Sequence, residues 1–139
     1  MINLIIAGIS ITLGGEFGYE VYNEEIKQGL KEPCFFISCL NPTNRIFLGK
    51  RYFRENNFCI QYFPKSEHKP NAECYEVAEK LNRCLELIPV LDEVLHGTDM
   101  KFEVIDGVLN FFVSYNCFVY KVEQKTVMGN IKSTTNVKG

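Results

Sequence analysis

The chain has 139 residues, of which 46% are hydrophobic and 23% charged, and it carries a formal net charge of -2. That length suits one core rather than two ordinary domains, and the composition excludes a disordered or fibrous chain. The near-neutral charge gives no overall attraction to nucleic acid or anionic membranes. Its distribution is uneven: residues 1–32 carry -3, 45–69 carry +4, 73–106 carry -6 and 121–139 carry +3. Such alternation either joins opposite signs across a subunit contact or marks solvated faces of different sign.

At the N-terminus, Ile2, Ile5, Ile6, Ile9 and Leu13 recur at helical spacing, and Gly14 and Gly15 are expected to stop the helix. The apolar run lacks a basic leader and falls short of the roughly 20 residues of a membrane span, so a docked helix is expected rather than a signal or an anchor. "YEVYNEE" alternates as a short strand, and residues 28–33, with Gly29 and Pro33, read as a loop. "CFFISCL" is apolar on both faces, as an interior strand is, and residues 41–44 (Asn-Pro-Thr-Asn) read as a turn or widened loop. Extended chain follows through residue 63, with Tyr52, Phe58, Ile60 and Tyr62 on one parity.

From Asn71 the period changes. Cys74, Val77, Ala78, Leu81, Cys84, Leu85 and Ile88 form one stripe of an amphipathic helix, with Asn71 as its cap, Glu73 in its first turn and Pro89 as its end. "VLDEVLHGT" reads as a short connection, with an edge strand as one option. Asp106 and Gly107 between two extended runs are a strong two-residue hairpin signal. Beyond them Leu109, Phe111, Val113, Tyr115, Cys117 and Val119 share a parity, predicting one long central strand. The order predicts an α+β fold: a mainly antiparallel sheet of about four to five strands, with an N-terminal and a central amphipathic helix packed on it. Residues 1–122 are expected to form a single α+β domain, and the polar residues 123–139 a flexible C-terminal arm.

Chemistry-bearing motifs are sparse. Six cysteines, at 34, 39, 59, 74, 84 and 117, lie within apolar strands or the helical stripe, which points to buried, reduced thiols rather than a disulfide framework. No C-x-x-C is present, and Cys34 and Cys39 fall on opposite faces of their strand, so no metal site is expected. His68 sits in a charged loop and His96 before a glycine. A thiol enzyme would need Cys59 or Cys117 with His96 as base, and nothing in the sequence brings them together. Neither a P-loop nor a dinucleotide fingerprint occurs, so no cofactor is expected. Arg45, Lys50, Arg51 and Arg54, interleaved with Phe47, Tyr52 and Phe53, raise the question of single-stranded nucleic acid. Four cations make a small electrostatic footprint, and Arg45, Lys50, Arg51, Arg54 and Tyr52 are read instead as a subunit or partner interface. A small nucleic-acid-binding or ligand-binding module is the alternative.

Taken in order, "GYEVYNEEIKQGLKEPCFFI", "FLGKRYFRENNFCIQYFPKS", "ECYEVAEKLNRCLELI" and "GTDMKFEVIDGVLNFFVSYN" resemble the tail terminator, or tail completion, proteins of phages and prophages of Gram-positive bacteria. The resemblance covers roughly residues 17–122. It implies a non-enzymatic virion-assembly subunit that self-associates into a ring, typically of six, at the head-proximal end of the tail tube. It also implies the tail tube protein and a head-completion or connector protein as partners, with no membrane and no sequence-specific nucleic acid. The implied location is the bacterial cytoplasm during assembly and the virion tail afterwards, and no catalytic residues carry over.

Overall fold

A computed structural model describes residues 1–23, 31–46 and 49–120. In chain order the elements are α1 (Ile2–Glu16), β1 (Glu20–Tyr22), β2 (Cys34–Ile46), β3 (Arg51–Phe63), α2 (Pro70–Cys84), β4 (Leu87–Val90), β5 (Glu93–His96), β6 (Thr98–Ile105), β7 (Val108–Ser114) and β8 (Cys117–Tyr120). The fold is α+β. The main sheet runs β1-β2-β3-β7-β6, with β8 pairing β3 off that path, and β4 and β5 form a separate two-stranded hairpin. Met1–Thr43 with Glu55–Cys117 make one compact unit, and Asn44–Arg54 belong to a second.

The core lies in the first unit, between one face of the sheet and the two helices. Phe35 and Ile37 of β2, Phe58, Ile60 and Tyr62 of β3, and Leu109, Phe111 and Val113 of β7 point into it from the sheet. Ile5, Ile9 and Leu13 of α1, and Cys74, Val77, Ala78 and Leu81 of α2, meet them. Each Val, Leu, Ile or Phe side chain among them that is removed from water contributes roughly 1.5–3 kcal/mol, so the period-two and period-3.6 stripes decide which faces come together. The register follows the same logic: Phe58 opposes Val113, Ile60 opposes Phe111, and Tyr62 opposes Leu109 across the antiparallel β3 and β7.

Several local expectations are corrected. α1 continues through Gly14 and Gly15 to Glu16, where the Phe17 N–H donates to Leu13 O at 2.9 Å and Gly18 takes φ +76°. Two exposed glycines cost only about 1 kcal/mol each against alanine, and burial of Leu13 holds the last turns. β1 pairs β2 in parallel, with Val21 opposite Phe35, while the β3–β7 and β6–β7 pairs are antiparallel as expected of a mainly antiparallel sheet. The loop expected at residues 28–33 lies partly outside the described residues, and Lys31, Glu32 and Pro33 are irregular. β2 passes straight through residues 41–44; Asn41 absorbs a kink at φ +37°, a conformation asparagine tolerates. The turn comes later, at Gly49 and Lys50.

Pro70 occupies the start of α2 and Lys69 its N-cap, leaving Asn71 in the first turn; the fixed φ of proline suits that first position. The helix stops at Cys84 rather than at Pro89, because Ile88 and Val90 bury alternately as strand residues of β4. Ile88 fits the helix spacing with Leu81 and Leu85 and also the strand alternation with Val90, which is why the stripe overran. The hairpin at Asp106 and Gly107 forms as expected, with φ of +51° and +76°. The long final strand is broken after Ser114. Asn56, only 2% exposed, accepts the Tyr115 N–H on its backbone oxygen at 2.9 Å and donates its side-chain amide to Tyr115 O at 3.0 Å. Its own N–H donates to Asn116 Oδ1 at 3.2 Å. These bonds satisfy the backbone at the break, where no ladder partner is available. Residues 121–139, and with them the expected arm, lie outside the described residues.

Candidate interaction surface

With α1 and α2 on one face of the sheet, the opposite side chains of β3, β7 and β6 form rows across three strands. Asn57 stands opposite Ser114; Cys59 opposite Phe112 and then Lys101; Gln61 opposite Asn110 and then Glu103. Cross-strand bonds knit the rows. Ser114 Oγ donates to Asn57 Oδ1 at 2.5 Å, and Gln61 Nε2 donates to Asn110 Oδ1 at 3.0 Å. Lys101 Nζ sits 5.8 Å from the centre of the Phe112 ring, within cation–π range.

An open groove of about 550 Å³ lies on this face, flanked by Leu40, Asn41, Asp99, Lys101, Glu103 and Phe112. Its shape comes from two backbone irregularities. Asn41 kinks β2, and Asp99 takes φ +52° within a register shift of β6 between Thr98 and Lys101. One extra residue on β6 there bends the strand, as a bulge does, and aspartate tolerates the left-handed conformation. Sequence reasoning missed this groove: "TDMKF" has no glycine to announce a bulge, and the bulge is visible only once β6 is paired with β7.

Of the residues expected to form an interface, Arg45 lies on β2, Lys50 is exposed in the turn before β3, and Arg51, Tyr52 and Arg54 are half-buried on β3. Strand alternation sends Tyr52 and Arg54 to one face and Arg51 to the other, so the segment is two-sided rather than a single basic patch. Phe47 lies outside the described residues.

None of the six described cysteines is in a disulfide. Cys34, Cys59 and Cys74 are buried and the other three partly so. Burial raises the pKa of Cys34, Cys39, Cys59 and Cys74, and pushes Cys84 up to about 11, with Glu16 adding to the effect at Cys84. Such thiols stay protonated at neutral pH and are poor nucleophiles. His96 ends β5 on the surface, 4.0 Å from the Glu86 carboxylate, and His68 lies in irregular chain before α2. Among the described residues no group of three or more His, Cys, Asp or Glu side chains converges to hold a metal ion. Among them, too, no helix is long and apolar enough to cross a membrane.

The most strongly organised ionisable group is structural. Glu73, in the first turn of α2, accepts from Tyr62 Oη at 2.5 Å and from the backbone N–H groups of Lys65 and Ser66 at 2.8 and 2.9 Å. Burial works against its charged form, but the three hydrogen bonds outweigh it and hold the carboxyl below its usual range. Burial, and then the hydrogen bond to Glu73, raises the pKa of Tyr62. The group ties the end of β3 to the start of α2, and the sequence signal for it was only Glu73 at a helix start.

The described residues thus hold a knitted sheet face, a two-sided basic and aromatic segment, and five thiols whose pKa burial raises. A comparison with curated proteins gives no match. The family model described as phage tail terminator protein matches residues 4–127. That match takes in nearly the whole chain, helices and sheet alike, and the chain belongs to the phage tail terminator protein family, a family of structural tail proteins.

Proposed function

We propose that this chain is a ring-forming subunit that caps the phage tail tube and presents the docking face for the head. It acts through contacts between copies, with the tube protein and with a head-completion or connector protein, and not through bond-making chemistry. A ring requires a heterologous contact, in which one patch of a subunit binds an unlike patch of the next. The observation that carries the reading is the pair of unlike charged regions: within the acidic stretch 73–106, every acidic residue except Glu73 is exposed, and residues 45–54 supply Arg45, Lys50, Arg51 and Arg54 with Tyr52. Opposite potentials of this kind steer encounter and fix register. Residues 1–122 act as the assembling domain, and the polar residues 123–139 as an arm that engages the next ring.

The test is double charge reversal, Arg51→Glu with Arg54→Glu, followed by sedimentation and electron microscopy with purified tail tubes. The wild-type chain is expected to form closed rings and cap tubes, and the variant to sediment as a smaller species and leave tubes uncapped. An unchanged assembly size in the variant would overturn the basic-to-acidic contact. A wild-type chain that forms no ring, alone or on tubes, would overturn the capping reading.

A further inference from the structure

The hairpin of β4 and β5 carries an apolar surface that its own fold does not use. Leu87 is 57% exposed, Val94 62% and Leu91 78%. Leu87 pairs with His96 and Pro89 with Val94, so Leu87, Pro89 and Val94 stand on one outward face, with Leu91 at the tip. Leu91 and Asp92 form the two-residue loop, and Leu91 takes φ +56°. Hairpin loops place glycine or asparagine at such positions, because a leucine side chain there is strained. Strain and exposure together give the folded chain no return from this leucine.

The base of the hairpin, by contrast, is rigid. Ile88 and Val90 are buried in the core. The Gly97 N–H donates to Glu86 O at 2.7 Å. Pro89 lies so close to Gly8 of α1 that a side chain at Gly8 would overlap the Pro89 carbonyl. A rigidly held, strained apolar tip is the form of an element shaped for a partner rather than for its own core. Glu86, Asp92 and Glu93 surround it, all exposed, so the matching surface must be basic and must offer apolar or aromatic area. The described residues 49–54 offer that chemistry on each face of the segment, Arg54 beside Tyr52 on one and Arg51 beside Phe53 on the other, with Lys50 exposed at the turn.

We infer that the tip of the β4–β5 hairpin, Leu91 and Val94 with Asp92 and Glu93, docks on one face of residues 49–54 of a second copy of this chain. The inference rests on the ring reading and names the acidic, apolar half of its contact. Leu91 and Val94 lose water against the neighbour's aromatic ring on the face they meet, and the two carboxylates meet Lys50 and the arginine of that face.

The experiment uses the full-length chain in two arms. Leu91→Gly suits the φ of the loop, so the variant is expected to fold with a Tm no lower than wild type, while its self-association weakens about tenfold or more through the lost burial of one leucine. In the second arm Val94 is replaced by the photo-crosslinker p-benzoylphenylalanine, and isotopically light and heavy chains are mixed. Light-to-heavy cross-links to residues 49–54 are expected. Assembly of Leu91→Gly at wild-type affinity, or cross-links confined to another region such as residues 121–139, overturns the hairpin's role while leaving the ring reading intact. A wild-type chain that does not self-associate in the first arm, together with no light-to-heavy cross-links in the second, overturns both.

Discussion

Replacing Tyr115 with phenylalanine removes one oxygen from a fully buried ring while keeping the ring itself. Tyr115 is 0% exposed, and its hydroxyl donates to the carbonyl of Leu85 at 2.6 Å. Leu85 caps the C-terminal end of α2, where carbonyls have no partner within the helix. Tyr115→Phe therefore strands a buried acceptor, at a cost of about 1–3 kcal/mol. Unfolding entropy of about 2.1 cal/mol/K per residue implies that a chain of this length loses about 3 °C of Tm per kcal/mol. A central cost of about 2 kcal/mol then lowers Tm by about 7 °C, readable by calorimetry or circular dichroism. A second signature is pH. Burial, reinforced by the nearby Cys84, raises the pKa of Tyr115 above the usual tyrosine value of 10.0. The unfolded chain ionises first as pH rises, so the stability that depends on the neutral phenol is complete below pH 10 and is lost above it. Tyr115→Phe should flatten that alkaline loss, leaving the part due to Tyr62. A variant with wild-type Tm and an unchanged alkaline slope would refute the packing account, because it would mean that neither the burial nor the bond to Leu85 exists.

Two further outcomes follow from the same unit. Glu73→Gln keeps the shape but replaces a carboxylate that accepts three hydrogen bonds with a neutral amide, and should cost about 1–2 kcal/mol at pH 7 in urea denaturation. Because the folded pKa lies below the usual 4.5, the stability supplied by Glu73 is present above that pH and is lost as pH falls through the folded value; the variant should lose that part of the acid slope, and an identical slope would count against the network. Gly8→Ala forces a Cβ into the Pro89 carbonyl, and the overpacking should cost about 1–3 kcal/mol, only partly offset by alanine's helix propensity of up to about 1 kcal/mol. A Gly8→Ala chain more stable than wild type would show that α1 and β4 are not in such close contact.

The parts of the structure that follow from local periodicity were legible. Ile5, Ile9 and Leu13 on α1, Val77, Ala78 and Leu81 on α2, and Phe58, Ile60 and Tyr62 on β3 all face the core as their spacing requires. Asp106 and Gly107 named their turn because few residue pairs accept positive φ in succession. Boundaries were less legible wherever two periods coincide. Ile88 suits the helix stripe with Leu85 and equally a strand with Val90, so the end of α2 and β4 were hidden behind Pro89, while β5 falls where an edge strand was one option. The expected interface residues were identified by charge and ring content, which say nothing of the face each occupies.

The sequence by itself determined the element types along most of the chain, the one-sided helices, the hairpin at residues 106 and 107 and the family, because each is written in neighbours a few residues apart. Only the tertiary structure decided the parallel pairing of β1 with β2, the break after Ser114 that Asn56 secures, the groove bent by Asp99, and the strained, exposed Leu91. Those depend on which distant strands share hydrogen bonds and on how close one backbone can come to another, quantities set by the packing of the whole unit and not by any local pattern.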